Sequence, residues 1–403
     1  MKILFLTLAY PEGEDASNLY VDLMREFNQQ GHDVYVATSL ERRQKRNTFL
    51  STQQGINVLR IQTGNIQKTN FIEKGISTLR LESQFCIAIK KYFNDVKFDL
   101  VIYSTPPITF AKVIKMIKKR DDAISYLLLK DIFPQNAVDM GLFKEKSLFN
   151  IFFRNKEINL YKNSDFIGCM SLKNKTYLLE HNSFLNEQKI EVCPNSISPK
   201  YITPLSNHDK QEVKQRLNIP NEATVLIYGG NLGKPQGIDF LIEVLKEHQY
   251  REDIFYLIIG SGTEYEKLNQ FIKTEKLNNC LLYSALPKRE YEEYLKISDI
   301  GLILLDYRFT IPNFPSRLLN YMEFSIPVLA AVDENTDVGD YLKNGNFGYS
   351  CVSNDLKQYT EVLNQMISSK EELVKMGYNA RQYLEEHYTV EKGVDIILSQ
   401  IKK

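Results

Sequence analysis

Residues 314–331 read FPSRLLNYMEFSIPVLAA. Leu318, Leu319, Tyr321 and Met322 suit one face of a short helix, Pro327 stops it, and Val328–Ala331 form a short apolar run fit for a buried strand. Immediately upstream, Ile300–Leu305 is another such run. The order is therefore strand, loop, helix, strand, the unit from which parallel sheets are built. Ser316 stands at the helix start and Arg317 just inside it. A helix start offers unpaired N–H groups and about half a positive charge, and an arginine can bind two phosphate oxygens at once. The plain alternative is a serine N-cap beside an exposed arginine.

The same grammar extends outward. Thr224–Tyr228 reads as a strand, GGNLGKPQG (229–237) as a glycine loop and Ile238–His248 as a helix. Further strands are expected at Ile254–Ile259 and Cys280–Tyr283, with GSGTEYEKL opening one helix and 285–295 giving a loop and another. The first half opens with a strand over Met1–Leu8, a polar loop with Pro11 and Gly13, a helix over Leu19–Gln30 closed by Gly31, and a strand over Asp33–Thr38. Strands follow at Gly55–Ile61, Leu100–Tyr103, Ile124–Leu129, Phe166–Met170 and Ile190–Cys193. PNSISPKYITP (194–204) is turn-rich and reads as a linker. The expected fold is α/β, two Rossmann-like doubly wound domains facing a cleft, with ligands at the carboxyl ends of the strands. The expected boundaries are 1–198 and 199–385, with a last helix of about 386–403 returning to the first domain.

At 403 residues the chain exceeds a single comfortable core, which supports two domains. The formal net charge is +0, yet residues 1–200 hold 28 Lys/Arg against 21 Asp/Glu and the rest the converse excess. The first half is thus suited to an anionic partner. Nothing suggests nucleic acid. The five cysteines are scattered without a CxxC or Cys/His cluster, so neither a zinc site nor a disulfide framework is expected. MKILFLTLAY does not read as a signal peptide, and no apolar run reaches the roughly 18 residues of a membrane span. A cytoplasmic protein is expected.

GGNLGKPQG supplies a second cation, Lys234, beside glycines that allow close backbone approach. It is not a Walker loop, because no GK[ST] follows, and 229–234 is not G-x-G-x-x-G. After the first strand the chain has AYPEGEDASN, which speaks against a nicotinamide dehydrogenase. Two loops on one sheet edge, each with a cation and a helix start, suit a diphosphate.

The chain resembles GT-B glycosyltransferases of family 4, of the bacterial capsule and O-antigen type. The resemblance covers nearly its whole length. It rests on MKILFLTLAYPEG, LLLKDIFPQNAVDMG (127–141), VCPNSISPKYITP (192–204), YGGNLGKPQGIDFLIE (228–243), IIGSGTEYEKL (258–268), ALPKREYEEYLKISDIGLILL (285–305) and FPSRLLNYMEFSIPVLA (314–330). The 127–141 and glycine-loop variants are similar to the subgroup that adds fucosamine-type amino sugars.

The resemblance implies a UDP-sugar donor in the second domain, with no other cofactor and no metal. Gly230, Asn231, Lys234, Ser316, Arg317 and the amide of Leu318 would hold the diphosphate, and the loop around Leu286 would face the base. The position that commonly carries a ribose-binding glutamate is Asn320 here, and eight residues earlier stands Pro312 where relatives have an acid. In the first domain, Gly13 lies in the loop expected near the donor phosphates. Lys130 and Asp131 occupy the catalytic position, Asp131 as acceptor of the hydroxyl proton. The implied reaction is a retaining transfer to an undecaprenyl-diphosphate-linked saccharide. A UDP-sugar 2-epimerase of the same fold and an inactive partner subunit are the alternatives.

Residues 142–164 (LFKEKSLFNIFFRNKEINLYKNS) mix Phe143, Phe149, Phe152, Phe153 and Leu160 with Lys144, Lys146, Arg154, Lys156 and Lys162, and KVIKMIKKR (112–120) adds five cations. This pattern suits an anionic membrane surface. Peripheral attachment to the inner face of the cell membrane is expected, partly electrostatic because these cations lie among aromatic residues. The alternative is an ordinary helix whose apolar face is core.

Overall fold

A computed structural model describes residues 1–66, 69 and 71–401. The chain divides into two compact units, Met1–Ser198 with Thr389–Lys403, and Pro199–Tyr388.

The first unit is built on strands β1 (Lys2–Thr7), β2 (Asp33–Glu41), β3 (Phe49–Gln53), β4 (Ile56–Thr63), β5 (Leu100–Ser104), β6 (Ile124–Leu129), β7 (Phe166–Cys169) and β8 (Ile190–Val192). They form one sheet in the order β3-β4-β2-β1-β5-β6-β7-β8. Every pairing is parallel except β3 with β4. β3 was not expected. It forms a hairpin with β4 through Gln54 and Gly55, whose φ angles of 52° and 78° are those of a two-residue primed turn. Gln-Gly is a weak turn signal, which hid it.

The helix Leu19–Gln29 buries Val21, Leu23, Met24 and Phe27, and Asn18 caps its start. The same core includes Val394, Ile397 and Leu398 from the final helix Val390–Ile401. The C-terminal segment therefore belongs to the first unit.

The second unit carries β9 (Thr224–Asn231), β10 (Ile254–Ser261), β11 (Cys280–Tyr283), β12 (Ile300–Leu304), β13 (Val328–Val332) and β14 (Gly348–Val352). All are parallel, in the order β11-β10-β9-β12-β13-β14. β14 was not singled out in the sequence because Gly348, Tyr349 and Ser350 break its apolar run. Gly229, Gly230 and Asn231, expected in a loop, extend β9 and pair with Ile259, Gly260 and Ser261. The loop proper begins at Leu232.

Chain order reverses between β9 and β12, so these strands flank the sheet's switch point, where a ligand crevice is expected at the carboxyl ends. They pair only through Ile300 with Leu226 and Gly301 with Ile227. Beyond that the buried Tyr321 side chain occupies the divergence. Its hydroxyl accepts from the Gly229 N–H at 3.2 Å and lies 3.1 Å from the carbonyls of both Ile227 and Leu302.

The helix Arg317–Glu323 does bury Leu318, Leu319, Tyr321 and Met322. Its stop is not Pro327 but a left-handed Ser325 (φ 56°), with Ser325 N–H bonded to Met322 O and Ile326 N–H to Tyr321 O.

Candidate active site

Arg317 enters the crevice of the second unit from the first turn of its helix. Its Cζ lies 4.3 Å from the centroid of the Tyr228 ring, and Nη2 donates to Gln236 Oε1. Tyr228 is fixed in turn by its hydroxyl, which donates to Asn231 O at 2.7 Å. Gly230 faces this guanidinium with φ 131°, a conformation open to glycine, and a Cβ there would lie 3.6 Å from Arg317 Cζ and Nη2. On the other side Tyr291 lies against Gly229, where a Cβ would sit 2.0 Å from its hydroxyl.

Arg317 Nη1 is sealed from solvent and has no hydrogen-bond partner among the described residues. A buried guanidinium N–H left unpaired is costly, so this atom asks for an anionic acceptor. Among the described residues the positive charge is met by a ring face and one neutral amide, and no carboxylate pairs with it.

The other expected donor-site residues are placed as follows. Ser316 is exposed and makes no capping bond, so the N-cap alternative does not hold. Leu318 N–H donates to Pro315 O at 3.2 Å, so that amide is already engaged. The helix is only seven residues long. The site's charge therefore comes from the guanidinium rather than from the helix end. Asn231 and Lys234 are exposed, Asn231 at the end of β9 and Lys234 in the one-turn 3₁₀ segment Lys234–Gln236. Gly237 closes that segment, and Asp306 N–H bonds Pro235 O at 3.1 Å, which ties the loop after β9 to the loop after β12. Leu286 is half-buried in the loop before the helix Lys288–Lys296, the helix that carries Tyr291. Asn320 is exposed, and Glu323 accepts from Lys200 N at 2.9 Å, so Glu323 is not a substitute in the site. Sequence reasoning missed Tyr228 and Gln236. The only available signal was their place at the two ends of the glycine stretch.

In the first unit the corresponding switch point lies between β1 and β5. The loop after β1 is braced by the β3–β4 hairpin and its neighbours. Arg60 Nη1 donates to Tyr10 O at 2.7 Å and Nη2 to Gln53 Oε1 at 2.8 Å, while Gln53 Nε2 donates to Pro11 O at 3.1 Å. Arg46 grips Glu12 at 2.6 and 3.0 Å, which holds the Glu12 carboxyl below its usual range. Gly13 (φ 118°) stands in open space at the tip.

Asp131 follows β6. Thr105 Oγ1, at the end of β5, accepts from the N–H groups of Lys130 and Asp131 at 3.0 and 3.2 Å. Asn136 Nδ2 donates to Asp131 Oδ1 at 2.8 Å. Burial pushes the Asp131 carboxyl up to about 6, against the lowering by Asn136 and the Ile132 backbone. A carboxylate with such a value is suited to general base work near neutral pH.

Lys130 does not share that role. Its Nζ donates to Cys193 O at 3.1 Å, and burial lowers its pKa. It ties the end of β6 to the residue after β8. Asn136 and Thr105, which position Asp131, were not anticipated.

Arg154 is also not free. It pairs with the buried Glu157 and donates to His181 O at 3.0 Å and Asn182 Oδ1 at 2.6 Å. Lys156 lies 3.9 Å from Glu82. Two of the cations expected to face a membrane are thus engaged within the unit.

Residues 209–383 match the family model described as "Glycosyl transferases group 1". The probable glycosyltransferase WbjE of Pseudomonas aeruginosa is 19% identical over 80% of this chain and 78% of its own. The putative colanic acid biosynthesis glycosyl transferase WcaI of Escherichia coli is 20% identical over 67% of each chain. Anabaena HepE, solved in complex with UDP and glucose, superposes with a TM-score of 0.72 at 15% identity, covering 100% of this chain and 99% of that one. The fold is GT-B.

Proposed function

We propose, from the premise that this chain is a GT-B glycosyltransferase, that it transfers a sugar from a UDP-sugar to a lipid-linked saccharide during assembly of a surface polysaccharide. The observation that carries the donor assignment is Arg317: its Nη1 is buried without a partner, opposite Gly230. The relative named for colanic acid biosynthesis supports the pathway class, and the likeness to HepE with UDP supports the donor class. The finer match of 127–141 and the glycine loop favours an N-acetylated 6-deoxy amino sugar such as N-acetylfucosamine, and undecaprenyl diphosphate as the carrier.

In this reading Arg317 and Lys234 stabilise the charge that develops on the leaving diphosphate. Ser316 contributes a hydroxyl, and Asn320 bonds the ribose without the charge assistance a carboxylate would give. Asp131, ionised and oriented by Asn136, takes the proton of the attacking hydroxyl. The transfer is metal-independent and retains anomeric configuration, and the protein works at the inner face of the cell membrane. The test is a screen of UDP-sugars against undecaprenyl-diphosphate-linked saccharides, reading UDP release. Release that depends on both a donor and an acceptor supports the proposal. A UDP-sugar converted without any acceptor points to an epimerase, and no release with any pair points to an inactive partner subunit.

A further inference from the structure

The helix Leu148–Asn163 is turned inside out over its first half. Leu148, Phe149, Ile151 and Phe152 are 84%, 64%, 50% and 41% exposed, and Leu142 just before it is 67% exposed. Positions i, i+1, i+3 and i+4 share one face of a helix, so these residues form one outward apolar stripe. The inward positions Glu157, Leu160 and Tyr161 lie in the second half. An apolar core face is therefore not the explanation of the pattern, and a contiguous exposed patch of this kind marks an interaction site.

The rim is cationic. Lys144 and Lys146 are exposed beside the stripe. The helix Ala111–Asp121 packs against the second half of Leu148–Asn163, where Lys118 Nζ donates to Asn163 O at 3.3 Å; it leaves Lys115 and Lys119 exposed, while Lys112 lies 3.9 Å from Glu82. A second copy of this chain would bring these lysines against each other, whereas an anionic surface would complement them.

We propose that this stripe is a wedge that enters the headgroup and acyl boundary of an anionic bilayer, so that attachment depends on apolar insertion more than on charge. Arg154 and Lys156, both engaged within the unit, have little part in it. The wedge is continuous with the candidate base. Phe153 lies 5.1 Å from Phe133 and 5.9 Å from Phe143, ring to ring, and Phe133 is two residues after Asp131. A bilayer held at the stripe thus lies next to the Asp131 segment, and the acceptor's lipid tail and sugar end are served by one stretch of chain. That consequence rests on the proposed lipid-linked acceptor. The attachment itself is measured without donor or acceptor, so the two can fail separately.

The chain has no tryptophan, so Phe149→Trp introduces a single indole as a depth probe. Its emission should shift to the blue, and brominated lipids should quench it, on vesicles of phosphatidylcholine with phosphatidylglycerol. The triple variant Leu148→Ser, Phe149→Ser, Phe152→Ser should lose about a hundredfold in vesicle partitioning with UDP affinity unchanged. Lys144→Ser with Lys146→Ser should lose less, about thirtyfold. The proposal is overturned if the Phe149→Trp emission is unmoved by vesicles, if the triple variant sediments with vesicles as the wild type does, or if the wild type is a dimer that the triple variant splits while neither binds vesicles.

Discussion

Asp131 and Lys130 are neighbours just after β6, where both their N–H groups donate to Thr105 Oγ1. The sequence made them look like a catalytic pair. The structure gives the carboxylate to the sheet's carboxyl edge and the ammonium to the carbonyl of Cys193. No spacing rule separates the two roles, because Cys193 is brought in by β8, far along the chain. Asp131 leads to a prediction with two readouts. Its folded pKa of about 6 lies above the unfolded value of about 3.9, so the folded state binds the extra proton between those values. Stability from this group is full below about pH 4 and is lost as pH rises through about 6. Asp131→Asn should therefore raise Tm at pH 8, by about 1–3 kcal/mol of stability, and leave it unchanged near pH 4. The same variant should lower kcat at least about tenfold with UDP affinity nearly intact, and wild-type kcat should fall below about pH 6. A variant with normal kcat and no stability gain at pH 8 would return Asp131 to an ordinary loop carboxylate.

At the scale of elements, the parallel strands were legible because buried β-branched and leucine runs leave little else to read. Ile124–Leu129 and Cys280–Tyr283 appear in the structure with the ends expected. What escaped was set by partners distant in sequence: the β3 edge, which needs β4, and the strand character of Gly229–Asn231, which needs β10. The helix after Arg317 shows the same limit. Its end is fixed by Ser325 and by a second helix, Lys370–His387, whose Gly377 sits against the Ser325 carbonyl. A Cβ at Gly377 would lie 2.1 Å from that oxygen. Since the obstacle is backbone, Gly377→Ala should cost about 1–3 kcal/mol, read as a fall in the denaturation midpoint. It should also weaken UDP binding, because the helix that moves is the one carrying Arg317. A midpoint equal to the wild type would mean that the two helices slide apart freely.

Across the whole molecule, two units of the same α/β kind were readable from the repeated strand and helix pattern. The charge excess of residues 1–200 has its structural counterpart in the exposed lysines beside the stripe of the first unit. The candidate site of the second unit was legible only in part: Arg317 and the glycine stretch stood out, while the ring of Tyr228 and the amide of Gln236 that hold the guanidinium did not. Among the described residues, the one grouping of three His, Asp or Glu side chains with ligand atoms close together is the exposed His208, Asp209 and Glu212. If Arg317 and Lys234 meet the leaving diphosphate's charge as proposed, turnover is expected to survive EDTA, and a loss of activity rescued by Mn²⁺ or Mg²⁺ would count against that charge stabilisation. Donor binding at Arg317 is tested most directly by a calorimetric titration of UDP into the wild type and Arg317→Ala without added metal. The wild type should bind, and the variant should lose about 1.5–3 kcal/mol, roughly ten- to 150-fold in Kd. Equal affinities, or no UDP binding by the wild type, would contradict it.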